Sequence, residues 1–167
     1  MKGKLTEFFR IPREIRRDFW EDTLQHNRVS LLVICVMIFG MELFNMCRVL
    51  FLSNAGLSTW NNRMYFGMYC SLFLVAALYL GLWHFLRRWP CRVRWAVQYI
   101  TVLCMLLWHG GMNAYDLHRD PQAGTSIFVT AVLGLAVFIQ MSPAFAFLAY
   151  GAGYGLFAAL AFPVLES

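Results

Sequence analysis

Five long apolar runs separated by short polar breaks organise this chain of 167 residues. A bilayer core of about 30 Å takes about 20 helical residues to cross. On that measure the runs predict helices over about 29–52, 64–86, 93–115, 125–141 and 143–163. The breaks SNAGLSTWNNR, RRWPCR and DLHRDPQAG separate the first four. The last two runs meet at Met141-Ser142-Pro143, where proline can open a helix but poorly continue one. The runs are unbroken rather than alternating, which excludes a β-barrel of roughly ten-residue strands. The expected fold is an all-α integral membrane bundle of about five transmembrane helices, preceded by an amphipathic juxtamembrane helix.

That leading segment, residues 1–28, carries Lys2, Lys4, Arg10, Arg13, Arg16, Arg17 and Arg28 among Phe8, Phe9, Ile11, Ile15, Phe19 and Trp20. Pro12 suits a first helical turn, and Ile15 and Phe19 then share a face. A basic amphipathic helix of this kind lies on an anionic membrane surface. No short apolar core with a small-residue cleavage site follows the charges, so a secretory signal is not expected. The positive residues also orient the chain. Seven lie in the leader, and Arg87, Arg88, Arg92 and Arg94 fall between the second and third runs. Only Arg63 and Arg119 fall on the other side, so the N-terminus is expected in the cytoplasm.

Composition narrows the function classes. The chain is 60% hydrophobic and 14% charged, with too few polar residues to cover a soluble domain. Its mean hydropathy is +0.56. No stretch outside the runs exceeds about 30 residues, too short for a folded catalytic domain, so no enzyme is expected here. Nothing in the chain points to nucleic acid. The cysteines Cys35, Cys47, Cys70, Cys91 and Cys104 form no CxxC and no zinc spacing, and read as packing residues. His109 has no second histidine at its depth, and Asp116-x-His118-x-Asp120 reads as a solvated loop. No metal or cofactor is therefore expected.

Candidate chemistry sits inside the runs. Glu42, Asn45 and Arg48 interrupt the first at spacings that step round an arc of about 120°. Gln98, Met105, His109, Asn113 and Asp116 of the third share an arc of about 80°. A charge in the bilayer centre costs about 2.5–3.5 kcal/mol on insertion scales, and intramembrane ionisable groups are usually functional. The two faces lie at similar depth, which predicts one ligand-binding pocket built from Glu42, Asn45, Arg48, His109, Asn113 and Asp116. Their bland reading is helix register, since hydrogen bonds in membrane bundles average below about 1 kcal/mol. Tyr65, Tyr69, Phe66 and Phe73 read first as interface anchors and second as pocket lining. GAGYG at 151–155 has the composition of a potassium filter but lies within an apolar run. There Gly151 and Gly155, four apart, read as a close helix approach.

The run E-L-F-N-M-C-R at 42–48, N-N-R-M-Y-F-G-M-Y at 61–69 and W-H-G-G-M-N-A-Y-D at 108–116 carry a family likeness, as does Ser142-Pro143 before an aromatic helix. The pattern resembles the N-terminal multi-pass sensor region of bacterial GGDEF-type diguanylate cyclases, chiefly of Firmicutes. The resemblance implies an input domain, often of six helices, before a cytoplasmic cyclase that makes cyclic di-GMP, and a homodimer. This chain has no GGDEF motif, so the resemblance implies a sixth helix and an output domain beyond it.

The expectation is thus a sensory input domain of a bacterial inner membrane, its partners being the lipid bilayer, a small-molecule ligand and a second copy. The alternatives are a small transporter or channel subunit, and a ligand-free scaffold. Reporter fusions after Ser53, Arg88 and Asp120 should read outside, inside and outside; a cytoplasmic signal after Ser53 would reverse the orientation.

Overall fold

A computed structural model describes residues 16–120, 122 and 124–165. The leader residues Lys2 to Ile15, with their proposed basic face, lie outside the described residues. Five helices follow in order: α1 (Arg16–Cys47), α2 (Trp60–Leu86), α3 (Cys91–Arg119), α4 (Ser126–Phe138) and α5 (Pro143–Leu165). A π-helical turn, Arg48–Leu52, extends α1. No strand occurs among the described residues, and the fold is all-α.

Each boundary has a local cause. The chain leaves the π turn at Ser53 and reverses through Gly56, whose φ of +48° lies in the left-handed region that favours a residue without a Cβ. Asn62 holds this reversal, donating from Nδ2 to Gly56 O at 2.6 Å and to Ser53 Oγ at 3.0 Å. Thr59 caps α2 by accepting from the Asn62 N–H at 3.3 Å. Pro90 stands at the N-cap of α3, where its missing N–H costs nothing.

Three helices are long and apolar enough to cross a membrane: α1 with its π turn over Asp18–Leu52, α2, and α5 over Pro143–Phe162. Their outward faces are apolar, with Val36, Met37, Phe44, Leu78, Phe147 and Leu148 all more than half exposed. Such a surface is costly in water and suits lipid. Five equivalent spans are not what the chain builds. The third run forms a 29-residue helix of sufficient length, but Arg92, Arg94, Gln98, His109 and Asn113 make it too polar for lipid. It tolerates Gln98, His109 and Asn113 because it is the central helix, packed by α1, α2, α4 and α5. The fourth run falls short in length. Expected over about 125–141, it is helical for 13 residues, about 20 Å of rise against a core of about 30 Å.

Two buried asparagines explain how so short a helix is accommodated. Asn113 of α3 is fully buried. Its Oδ1 accepts from the Phe128 N–H at 3.0 Å and its Nδ2 donates to Gly124 O at 3.1 Å. Asn27 of α1, also fully buried, makes the same two-way contact beyond the other end of α4. Its Oδ1 accepts from the Gln140 N–H at 2.8 Å, and its Nδ2 donates to Gln140 O at 2.6 Å. Tyr99 accepts from the Ser142 N–H at 3.3 Å just before α5 begins. Backbone groups released where a helix stops inside a bundle must find protein partners. Here side-chain amides supply them.

The core runs through Leu31, Cys35, Leu72, Ala76, Val102, Met105 and Leu106. Helices α3 and α5 meet at glycines, but not at the expected pair. A Cβ on Gly151 or Gly155 would meet nothing within 4 Å, whereas one on Gly110 would stand 3.4 Å from Gly153 O. Gly153, two residues from each and so about 200° round the helix, is the residue that faces α3. The boundary drawn at residue 28 is also absent from the backbone, because α1 runs unbroken from Arg16 through it. The stretch after residue 16 is instead tied to the bundle. Glu21 pairs with Arg94 through two bonds of 2.8 and 2.9 Å, and Gln98 Nε2 donates to Leu24 O at 2.9 Å.

Replacing Asn113 by Leu should cost about 2 kcal/mol, because Phe128 N–H and Gly124 O would be stranded. Thermal unfolding in detergent should show it as a fall of several degrees. Asn27→Leu should behave alike, and an unchanged midpoint in both would refute the clamp.

Candidate functional site: a polar pocket at one end of the bundle

Where α1 ends, α2 begins and α3 ends, the helices splay around an open pocket of about 590 Å³. Arg48 and Val49 of the π turn form one wall, Tyr65 and Tyr69 of α2 another, and Met112, Asp116 and Arg119 of α3 a third. The π turn widens α1 at its contribution to the pocket, and such turns recur at functional sites.

Asp116 and Arg119 are three apart, so both project from one face of α3. Tyr65 joins them: its hydroxyl donates to Asp116 Oδ1 at 2.5 Å and accepts from Arg119 Nη1 at 3.2 Å. The Arg119 guanidinium also lies over the Tyr65 ring, 5.4 Å from its centroid. Tyr115 donates to Asn61 Oδ1 at 3.0 Å and packs edge-on against Tyr65. This network locks α2 to α3 and spends the charge of Asp116 locally. Arg48 is different. Its side chain is exposed, stands beside the Tyr69 hydroxyl, and makes no ion pair among the described residues. The one ion pair among the described residues is Glu21–Arg94, at the opposite end of the bundle.

The six residues expected in one pocket are divided by the structure. Arg48 and Asp116 line the pocket together. Glu42 is buried at 5% exposure, where its Oε2 takes a long 3.4 Å bond from Asn45 Nδ2. Neither Glu42 nor Asn45 lines the pocket. The arc drawn through Glu42, Asn45 and Arg48 assumes an α-helical step, and the chain leaves that step at Arg48. Asn113 is occupied in holding α4. His109 bonds its own helix through Nδ1 at 2.7 Å from Met105 O and lines clefts beside α4 instead. The shared arc of α3 serves separate neighbours, α1 through Gln98, α4 through Asn113 and α2 through Asp116, because the surrounding helices meet different stretches of one face.

Several pocket residues lay outside that set. Tyr65 and Tyr69, four apart, are pocket lining rather than anchors alone. Arg119 was legible from its three-residue offset to Asp116. Ser53 and Asn62 reach the pocket only through the reversal at Gly56, which no spacing announces.

No family model, curated protein or solved structure matches the chain, so the likeness to GGDEF-associated input regions rests on its motifs alone.

Double-mutant cycles should separate the two sets of charges. Tyr65→Phe with Asp116→Asn should couple by more than about 0.5 kcal/mol, as residues in one network do. Glu42→Gln with Arg48→Gln should couple by less than about that amount. Strong coupling of the second pair in thermal unfolding would return both charges to one site.

Proposed function

We propose that the chain is a membrane-embedded sensory input domain that binds a small anionic ligand in the pocket at Arg48. The observation that carries this reading is an exposed guanidinium with no acidic partner among the described residues, facing an open 590 Å³ pocket. That volume falls within the roughly 300–1,000 Å³ typical of small-molecule sites. Asp116, the one carboxylate lining the pocket, already accepts from Tyr65, so the free positive charge of Arg48 suits a carboxylate or phosphate. Tyr65 and Tyr69 offer hydroxyls and ring faces to the remainder of such a ligand.

A receptor fits better than a channel. The polar lining gathers at one end; below it Leu31, Leu72, Val102 and Leu106 are packed with almost no exposure, and the buried amides of Asn27 and Gln98 bond backbone groups rather than line a path. A conduction path needs polar groups at successive depths, whereas a blind pocket needs them at one. In this reading all five helices lie within the bilayer region, the N-terminus is cytoplasmic by the positive-residue bias, and the pocket opens outward. Ligand binding across α1, α2 and α3 would alter their packing and pass to a cytoplasmic output, a cyclase on the GGDEF resemblance, within a homodimer.

Thermal unfolding of the protein in nanodiscs, with a panel of small carboxylates and inorganic phosphate, tests this. A ligand at 100 times its Kd should raise the midpoint by about 5–10 °C. The rise should vanish in Arg48→Gln and persist in Arg63→Gln, whose guanidinium instead donates to Ser58 O. A rise that survives Arg48→Gln, or none with any panel member, would remove the anion site.

A further inference from the structure

A second site lies apart from the polar pocket, along the flank of α4. Helices α1 and α4 both pack against α3 and leave a groove between them whose floor is Met105 and His109. Below His109 the groove is a cavity of about 240 Å³ walled by Ile34, Met37, Met41 and Phe138. Met37, Met41 and Phe138 are each more than half exposed on the apolar exterior, so the mouth opens where lipid chains would lie. Above His109 the groove continues as an open depression of about 340 Å³ between α3 and α4, which adds Ser126 and Thr130. The groove is therefore graded, with hydroxyls toward the pocket end and sulfur and hydrocarbon toward the middle of the bundle. His109 and Ala131 belong to both halves.

The histidine's hydrogen bonding fixes what it can offer. Nδ1 lies 2.7 Å from Met105 O, and a carbonyl only accepts, so Nδ1 carries the hydrogen. In the neutral imidazole Nε2 is then a bare acceptor. Its helix has used the donor, so Nε2 is the polar atom that the ring has left to offer where His109 lines the groove. A molecule held there must bring a donor. It must also be lipid-soluble, since the mouth faces the apolar exterior. Three methionines and a phenylalanine favour an aromatic ring, because thioether sulfur contacts ring edges favourably. At about 240 Å³ the lower cavity is smaller than a whole drug-sized ligand requires, which suits one ring with its tail left in the bilayer.

We infer that this groove binds a membrane-dissolved phenol, an aromatic ring with an apolar tail whose hydroxyl donates to His109 Nε2. The site stands whether or not the polar pocket binds an anion, since the two share only Ile127.

The test compares 4-decylphenol with its methyl ether, 4-decylanisole, by titration calorimetry on the protein in nanodiscs, with empty nanodiscs subtracted. The two probes differ by the one hydroxyl donor. The phenol should bind saturably and about fivefold tighter than the ether, as one hydrogen bond implies. His109→Phe should abolish that preference, and His109→Gln, which retains an acceptor, should restore part of it. Gly134→Leu supplies a check that leaves the histidine intact. Gly134 lines the groove, and a Cβ there would meet no atom within 4 Å, so a leucine side chain has open space to enter. It should block both probes. Equal affinity for phenol and ether would mean that a lipid chain or any apolar solute fills the groove, and would overturn the proposal. So would a preference that survives His109→Phe, unaltered binding in Gly134→Leu, or no saturable binding above empty nanodiscs.

Discussion

The fold depends on an amide solution to a backbone problem. Helix α4 starts and stops inside the bundle, and both of its ends release N–H and C=O groups. In lipid or in a packed core, each group left alone costs several kcal/mol. Asn113 and Asn27 answer this with the same chemistry, each offering a donor and an acceptor to the backbone next to α4. They lie on parallel helices, one near each end of α4. The short helix is therefore measured between two fixed points on α3 and α1, and the turn into α5 follows from where Asn27 holds Gln140.

That arrangement also gives α3 its character. A helix packed by four others keeps only a narrow exposed face, where Val93 and Ile100 lie, so it can carry Gln98, Thr101, His109 and Asn113 on its packed sides. Each of the four meets a backbone carbonyl: Gln98 that of Leu24, Thr101 that of Val97, His109 that of Met105 and Asn113 that of Gly124. Polar residues that look like one functional face are thus divided between holding the bundle and facing cavities. Asn113 and Gln98 belong to the first group, Asp116 to the second. His109 belongs to both, through different ring nitrogens.

The polar pocket arises from the ends of helices rather than from their middles. Near a helix end the π turn, the Gly56 reversal and the Tyr65–Asp116–Arg119 network need only local partners, and an arginine can remain exposed. Glu42, six residues deeper, has no such freedom and is buried against its own helix neighbour Asn45. The contrast between Glu42 and Arg48 is one of depth, not of charge.

Much of this was legible in the residues alone. The apolar runs predict helices at all five places, because burying a backbone in lipid or core leaves helix as the available form. Pro143 marks the start of α5, because proline opens a helix more readily than it continues one. The polar spacings include Arg48 and Asp116, which the structure brings to one pocket. Which partner each polar residue meets was decided only by tertiary structure, because a helical wheel fixes directions about one axis and says nothing of what stands there. Asn27, inside the supposed leader, and Asn113, inside the supposed pocket, could be recognised as clamps only once α4 proved too short. Gly153 rather than Gly151 faces α3 for the same reason: small residues permit a close approach, and the neighbouring helix chooses which of them to use.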